Sequence, residues 1–170
     1  LPGFPTSAIF TFHEFVAPWI RARAGLPADR AREVDAVLPR AVVSERGRTE
    51  YDLVHLVDTD KGLVAYPLGK GSGSVTTFSR ADGFYAIPAE VERLEAGERV
   101  RVTLLGPRTP PDVVVIGSHC TGLDLVLSRL RQRGFTSKVI AVGSTAGLEA
   151  AARGECDIAG IHLCDERTGI

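Results

Sequence analysis

Two stretches of the chain share a pattern, GSHCTG at 117–122 and GSTAG at 143–147. Each follows a β-branched run, VVVI at 113–116 and KVIAV at 138–142, and each precedes a helical pattern. A strand that empties into glycine and hydroxyl side chains before a helix presents backbone N–H groups to an anion. In a parallel sheet the carboxyl ends of adjacent strands gather at one edge, so the two turns are expected to face one spot. Ser118, Thr121, Ser144 and Thr145 offer hydroxyl donors there, beside the N–H groups of each first helical turn. Neither loop holds Lys or Arg, which suits a small tetrahedral oxyanion held by neutral donors. The same residues also suit ordinary N-caps, each worth about 1 kcal/mol to its helix. At the level of sequence both readings stay open.

Other reactive side chains point less sharply. His119, Cys120, His162 and Cys164 fall at strand ends, where imidazole and thiolate can hold zinc. Their spacing matches no compact ligand motif, and Cys156 and Cys164 also suit a core as small apolar residues, so no metal site is expected. Asp157 opens a strand, a place where an acid is commonly solvated. GKGSGS at 69–74 offers Lys70 and Ser72 to a phosphate but lacks the spacing of a P-loop.

The elements that position these residues fall into segments. From Thr6 to Ala24, Ile9, Phe12, Val16 and Ile20 recur at helical spacing, with Pro18 expected to kink the helix and Gly25 to end it. Phe10, Phe15 and Trp19 widen its apolar surface. Next come short strand patterns, RAVVSE, YDLVHLVDT, LVAYPL, GFYAIP and RVRVTLL, separated by turn-rich stretches. Without helices between them they predict a small antiparallel barrel or sandwich from about Pro39 to Leu105. GPRTPPD then resists helix and central strand alike. Beyond it, strand and helix alternate, with helices from about Leu123 to Arg133 and Ala146 to Arg153 and a last strand in CDIAGIHL. Gly134 and Gly154 are expected to cap the two helices. Alternation of this kind predicts βαβ units and a parallel sheet. The expected fold is α+β and multidomain: a helix over 1–26, a β-barrel domain over 27–105, a linker over 106–111, and a three-layer α/β half-lobe with parallel strands over 112–170.

Composition bounds the function classes. Among 170 residues, 20 Lys and Arg nearly balance 21 Asp and Glu, so no basic surplus points to nucleic acid or an anionic membrane. No apolar run approaches the roughly 20 residues of a membrane helix, and no signal peptide is visible, so a cytoplasmic location is expected. Three cysteines without a secretion signal read as free thiols. The chain opens on LPGFPTSAIF and contains no methionine, which leads us to expect a piece of a longer product.

LPGFPTSAIFTFHEFVAPWI resembles the closing helix of the central domain in the molybdopterin molybdotransferases, the MoeA and gephyrin E-domain family. Leu1, Pro2, Gly3, Pro5, Ser7 and Ala8 match that family's pattern, and Phe4 replaces its usual asparagine. The segment PLGKGSGSVTTFSRADGFYAIPAEVERLEAGERVRVTLL is similar to the family's C-terminal barrel, through Gly71, Ser72, Gly73, Ser79, Ala81, Asp82, Gly83 and Pro88. The remainder is similar to one lobe of a periplasmic-binding-protein-like domain.

The resemblance implies a parent enzyme that uses magnesium to insert molybdate into adenylylated molybdopterin, with its magnesium ligands upstream of Leu1. It also implies that Pro2, Gly3, Pro5 and Ser7 border the molybdate site, and that Ser72, Ser79 and Asp82 reach toward the pterin. The fragment alone is then expected to be catalytically silent and its parent to be a homo-oligomer. The terminal lobe is expected to bind molybdate or a similar oxyanion, with a sensing or delivery module and an assembly domain as the alternatives.

Overall fold

The computed structural model of the chain describes residues 5–27, 32–69 and 75–163. Helix α1 (Pro5–Thr11) runs through a π-helical turn (Phe12–Val16) into α2 (Ala17–Arg23). The path expected from the apolar spacing is thus continuous, and the wide turn falls directly before Pro18. Proline has no N–H to donate and its ring crowds the carbonyl four residues back, so one widened turn absorbs the misfit.

Strands β1 (Glu33–Val37), β2 (Val42–Val43), β3 (Glu50–Thr59) and β4 (Gly62–Pro67) follow, then helix α3 (Val75–Arg80) and strands β5 (Gly83–Ile87), β6 (Arg93–Leu94) and β7 (Arg99–Leu104). Five of these close a barrel in the order β1-β4-β3-β5-β7, and β2 pairs with β6 alone. Antiparallel β1 and β7 seal it, with Ala36 opposite Val100 and Val34 opposite Val102. Leu38, Val54, Tyr85, Ile87 and Val102 are fully buried in this unit.

Three elements of this unit differ from the sequence expectation. The barrel opens at Glu33, ahead of Pro39, because EVDAV alternates charged and apolar residues at the strand period of two. RAVVSE contributes only the two residues of β2, and VTTFSR, to which the sequence pattern assigns no element, forms α3.

After an irregular stretch come β8 (Val113–Gly117), α4 (Thr121–Gln132), β9 (Ser137–Ala141), α5 (Ser144–Ala152) and β10 (Ile158–Gly160). The three strands form a parallel sheet in the order β10-β8-β9. CDIAGIHL yields only three strand residues, since β10 pairs with β8 no further than Gly160. Gly134 and Gly154 take positive φ at 90° and 72°, and each is followed by a residue whose N–H reaches back to the last helical turn, Phe135 to Leu130 and Glu155 to Ala150.

The chain divides into two compact units. The second takes in the hairpin residues Val57–Tyr66 together with the chain from Thr109. Val57, Val64 and Tyr66 of that hairpin share a core with Ile116, Ile140 and Ala150. Ile116 and Ile140 are register partners, so the even-numbered face of β8 and β9 lies on this core.

Candidate functional site

The carboxyl ends of β8, β9 and β10 lie unusually close to the start of α5, and three glycines permit it. A Cβ on Gly147 would sit 2.6 Å from Gly117 Cα and 2.8 Å from the Ile116 carbonyl oxygen. One on Gly160 would meet the Ser118 carbonyl oxygen at 2.3 Å, and one on Gly117 the Gly160 carbonyl oxygen at 2.4 Å. These neighbours are backbone, which cannot swing aside. Bare backbone therefore packs helix on strand, and residues near these glycines in the sequence are drawn together.

Those residues are Ser118, Ser144 and His162. Ser118 Oγ lies 2.8 Å from His162 Nδ1, and Ser144 Oγ lies 3.4 Å from the same nitrogen. The His162 backbone N–H donates to Ser144 Oγ at 3.1 Å. Ser144 is only 8% exposed and Ser118 half-buried. Further backbone bonds tie the edge: Ser118 N–H to the Gly160 carbonyl, and Val142 and Gly143 N–H to the Gly117 carbonyl. Thr121 is exposed at the first position of α4 and Thr145 at the second of α5.

The structure answers the capping alternative. Cys120 occupies the N-cap of α4 and Gly143 that of α5, and neither helix has a side-chain cap bond. Ser118 and Ser144 turn to His162 instead. Sequence reasoning weighed His162 only as a zinc ligand, because nothing local marks it as the neighbour of serines 44 and 18 residues away. The other histidine at this end, His119, pairs through Nε2 with Asp124 at 2.8 Å. Cys164 lies outside the described residues. Among the described residues no three His, Cys, Asp or Glu side chains gather as a zinc site would require.

A second polar cluster lies in the same unit. Glu155 is 6% exposed and accepts from the Tyr66 hydroxyl in a very short hydrogen bond and from Arg153 at 2.7 and 2.9 Å. Burial, then the Glu155 bond, pushes the Tyr66 hydroxyl far above its ordinary value. The Arg153 guanidinium is likewise raised, chiefly by its hydrogen bond to Glu155. This is a closed structural network. Asp157 is also engaged, since Val114 N–H donates to its carboxylate at 2.7 Å.

In the first unit, Pro2, Gly3, Lys70 and Ser72 lie outside the described residues. Pro5 opens α1, and the exposed Ser7 accepts the Thr11 hydroxyl through its carbonyl at 2.8 Å. Phe10 stacks on Tyr51 at 5.1 Å and meets Phe84 and Phe78 edge-on at 4.9 and 5.9 Å. Through Phe78, α1 packs beside α3, which carries the exposed Ser79. The two segments singled out by resemblance are thus neighbours. Asp82 accepts the Leu56 N–H at 2.6 Å, and the same oxygen lies 3.8 Å from buried His55 Nδ1. At least one of its oxygens is occupied in holding α3 and β5 to β3.

Residues 35–105 match the family model described as the MoeA C-terminal region, domain IV. Over these residues the chain is similar to the MoeA C-terminal region. Residues 127–170, downstream of this MoeA-type segment, match the model of a PBP superfamily domain. Molybdopterin molybdenumtransferase 2 of Mycobacterium tuberculosis, in strains CDC 1551 and H37Rv, is 30% identical over 102 residues, which are 60% of this chain and 25% of that protein. A crystal structure of the molybdopterin biosynthesis MoeA protein from Pyrococcus horikoshii aligns at TM-score 0.51 and 39% identity, covering 64% of this chain and 26% of that one. A second, from strain OT3, aligns at TM-score 0.50 and 27% identity over 60% of this chain and 26% of that one. The chain thus spans about a quarter of the length of the curated relatives it matches.

Proposed function

We propose that this chain serves molybdenum cofactor biosynthesis as the C-terminal part of a molybdopterin molybdotransferase, which inserts molybdate into adenylylated molybdopterin. The match of residues 35–105 to the MoeA C-terminal region carries this reading. The packing of α1 against α3 supports it, because it sets Ser7 and Ser79 on neighbouring elements. Pro2, Gly3, Pro5 and Ser7 border molybdate in this reading, and Ser72, Ser79 and Asp82 face the pterin. Magnesium belongs to the part of the enzyme that precedes these residues, and no step here passes through it. The C-terminal unit is an oxyanion module, with Ser118, Thr121, Ser144 and Thr145 at the strand ends, that captures molybdate or a similar anion for the enzyme.

The test is molybdate-dependent AMP release from adenylylated molybdopterin, measured for the 170-residue chain and for the same chain joined to a MoeA-type central domain. Release is expected only from the longer protein, and removal of residues 112–170 from it should change the molybdate dependence while leaving basal release. Turnover by the 170-residue chain alone overturns the division of labour. Unchanged molybdate dependence overturns the role of the terminal unit.

A second reading, assembly, draws on β10. This strand ends the described sheet and carries Ile158, Ile161 and Leu163, at or just beyond it, exposed at 41%, 52% and 54%. An exposed apolar edge invites pairing with another chain. Sedimentation of the chain with and without Ile158→Lys distinguishes it: dissociation of an oligomer by the lysine supports assembly, and a wild-type monomer removes it.

A further inference from the structure

Ser118, Ser144 and His162 carry an inference that rests on the anion-site reading and deepens it. Each serine hydroxyl has one proton to donate and lone pairs with which to accept. The distances from His162 Nδ1 to Ser118 Oγ and Ser144 Oγ, 2.8 and 3.4 Å, satisfy two proton arrangements. With the ring proton on Nε2, Nδ1 is an acceptor, the Ser118 O–H turns inward to it, and that donor is lost to any ligand. With the proton on Nδ1, the ring donates to Ser118 Oγ while the His162 backbone N–H donates to Ser144 Oγ at 3.1 Å. Both oxygens then accept from the protein, and both O–H protons are left to turn outward.

We infer that His162 is a positioning residue whose Nδ1–H tautomer frees the Ser118 hydroxyl to join that of Ser144 as a donor to an oxyanion whose oxygens are all acceptors. An anion binds the arrangement that aims protons at it and is repelled by the one that aims a lone pair, so its arrival shifts the ring toward Nδ1–H. His162 need not touch the ligand. Its place is set by β10, whose last residue, Gly160, is in register with Gly117. That pairing carries the chain two residues further, over the start of α5. Neutral donors fixed in this way require no Lys or Arg in either turn, in keeping with the composition of both.

The test uses the whole 170-residue chain, labelled with nitrogen-15 at its four histidines and titrated with molybdate while long-range proton–nitrogen correlations read each ring nitrogen. Spectra of His162→Asn assign the His162 signals by their loss. At saturation His162 is expected to show the Nδ1–H pattern. Calorimetry on two variants reads the same role in affinity. His162→Ala, which removes the ring donor, should weaken molybdate binding about tenfold. His162→Asn places an amide N–H where Nδ1 stands and should stay within about threefold of the wild type. Saturable binding with no change in tautomer, and with His162→Ala as tight as the wild type, overturns the role of His162 and leaves the anion site standing. Absence of saturable molybdate binding by the wild-type chain overturns both.

Discussion

At the scale of single residues, buried polar groups have fixed partners, and removing one partner has a definite cost. Tyr66 and Glu155 are buried at 3% and 6% exposure, and the Tyr66 hydroxyl, Arg153 and Glu155 satisfy one another. Tyr66→Phe deletes one donor to a buried carboxylate and should destabilise the chain by about 1–3 kcal/mol in urea unfolding. A Phe variant as stable as the wild type would show that Glu155 finds another donor. Asp112 gives a pH signature instead. Its carboxylate accepts the Thr136 N–H and hydroxyl, each at 2.7 Å, and the N–H bond first, then the hydroxyl, holds it below its ordinary value of 3.8. A depressed folded value means that its contribution is fully present above 3.8 and is lost as pH falls through the folded value. Asp112→Asn should therefore unfold at lower temperature than the wild type near neutrality, and the gap should close in acid. A gap that persists below the folded value would contradict this origin.

The legibility of the sequence is best judged at this same scale. Ser118 and Ser144 could be singled out because each follows a strand pattern and a glycine. Their convergence on His162 could not, since it depends on the parallel register of β8 and β10 and on a contact across 44 residues of sequence. Asp82 was read by resemblance as a substrate contact. Its bond to the Leu56 N–H spans 26 residues and has no local signature.

At the scale of elements, glycine decides how closely α5 approaches the sheet. Gly147→Ala would drive a Cβ into the backbone of Gly117 and Ile116, forcing α5 outward, with an expected cost of about 1–3 kcal/mol. The same shift carries Ser144 away from His162, so molybdate affinity should fall along with stability. Retention of both would mean that the helix docks differently. The N-terminal helix has a different anchor, because Phe10 lies among Tyr51, Phe78 and Phe84. Phe10→Ala should cost about 2 kcal/mol and speed amide exchange along α1 while leaving the C-terminal unit protected. The helix was legible from its apolar spacing, and the strands β3, β4, β5 and β7 from their alternation. Helix α3 was not. Its six residues, VTTFSR, include a β-branched run that favours strands in isolation, and packing beside α1 overrides that preference.

At the scale of the whole chain, sequence composition marks the change from strand-rich to alternating architecture at the Gly-Pro-rich stretch near residue 106. It does not reveal that Val57–Tyr66 groups with the C-terminal unit, because a hairpin that lends its side chains to a distant core looks like any other hairpin. The consequence is testable: Tyr66→Phe, although distant in sequence from α5, should raise amide exchange in α5 and β8. None of the described helices is long and apolar enough to cross a membrane.

The central claim, that the C-terminal unit supplies an oxyanion site to a protein of molybdenum cofactor synthesis, is tested most directly by isothermal titration of the 170-residue chain with molybdate, sulfate and phosphate. The account predicts saturable molybdate binding that disappears in the Ser118→Ala, Ser144→Ala double variant while its unfolding midpoint stays near that of the wild type. Binding of equal strength in the double variant, or none in the wild type, would contradict it.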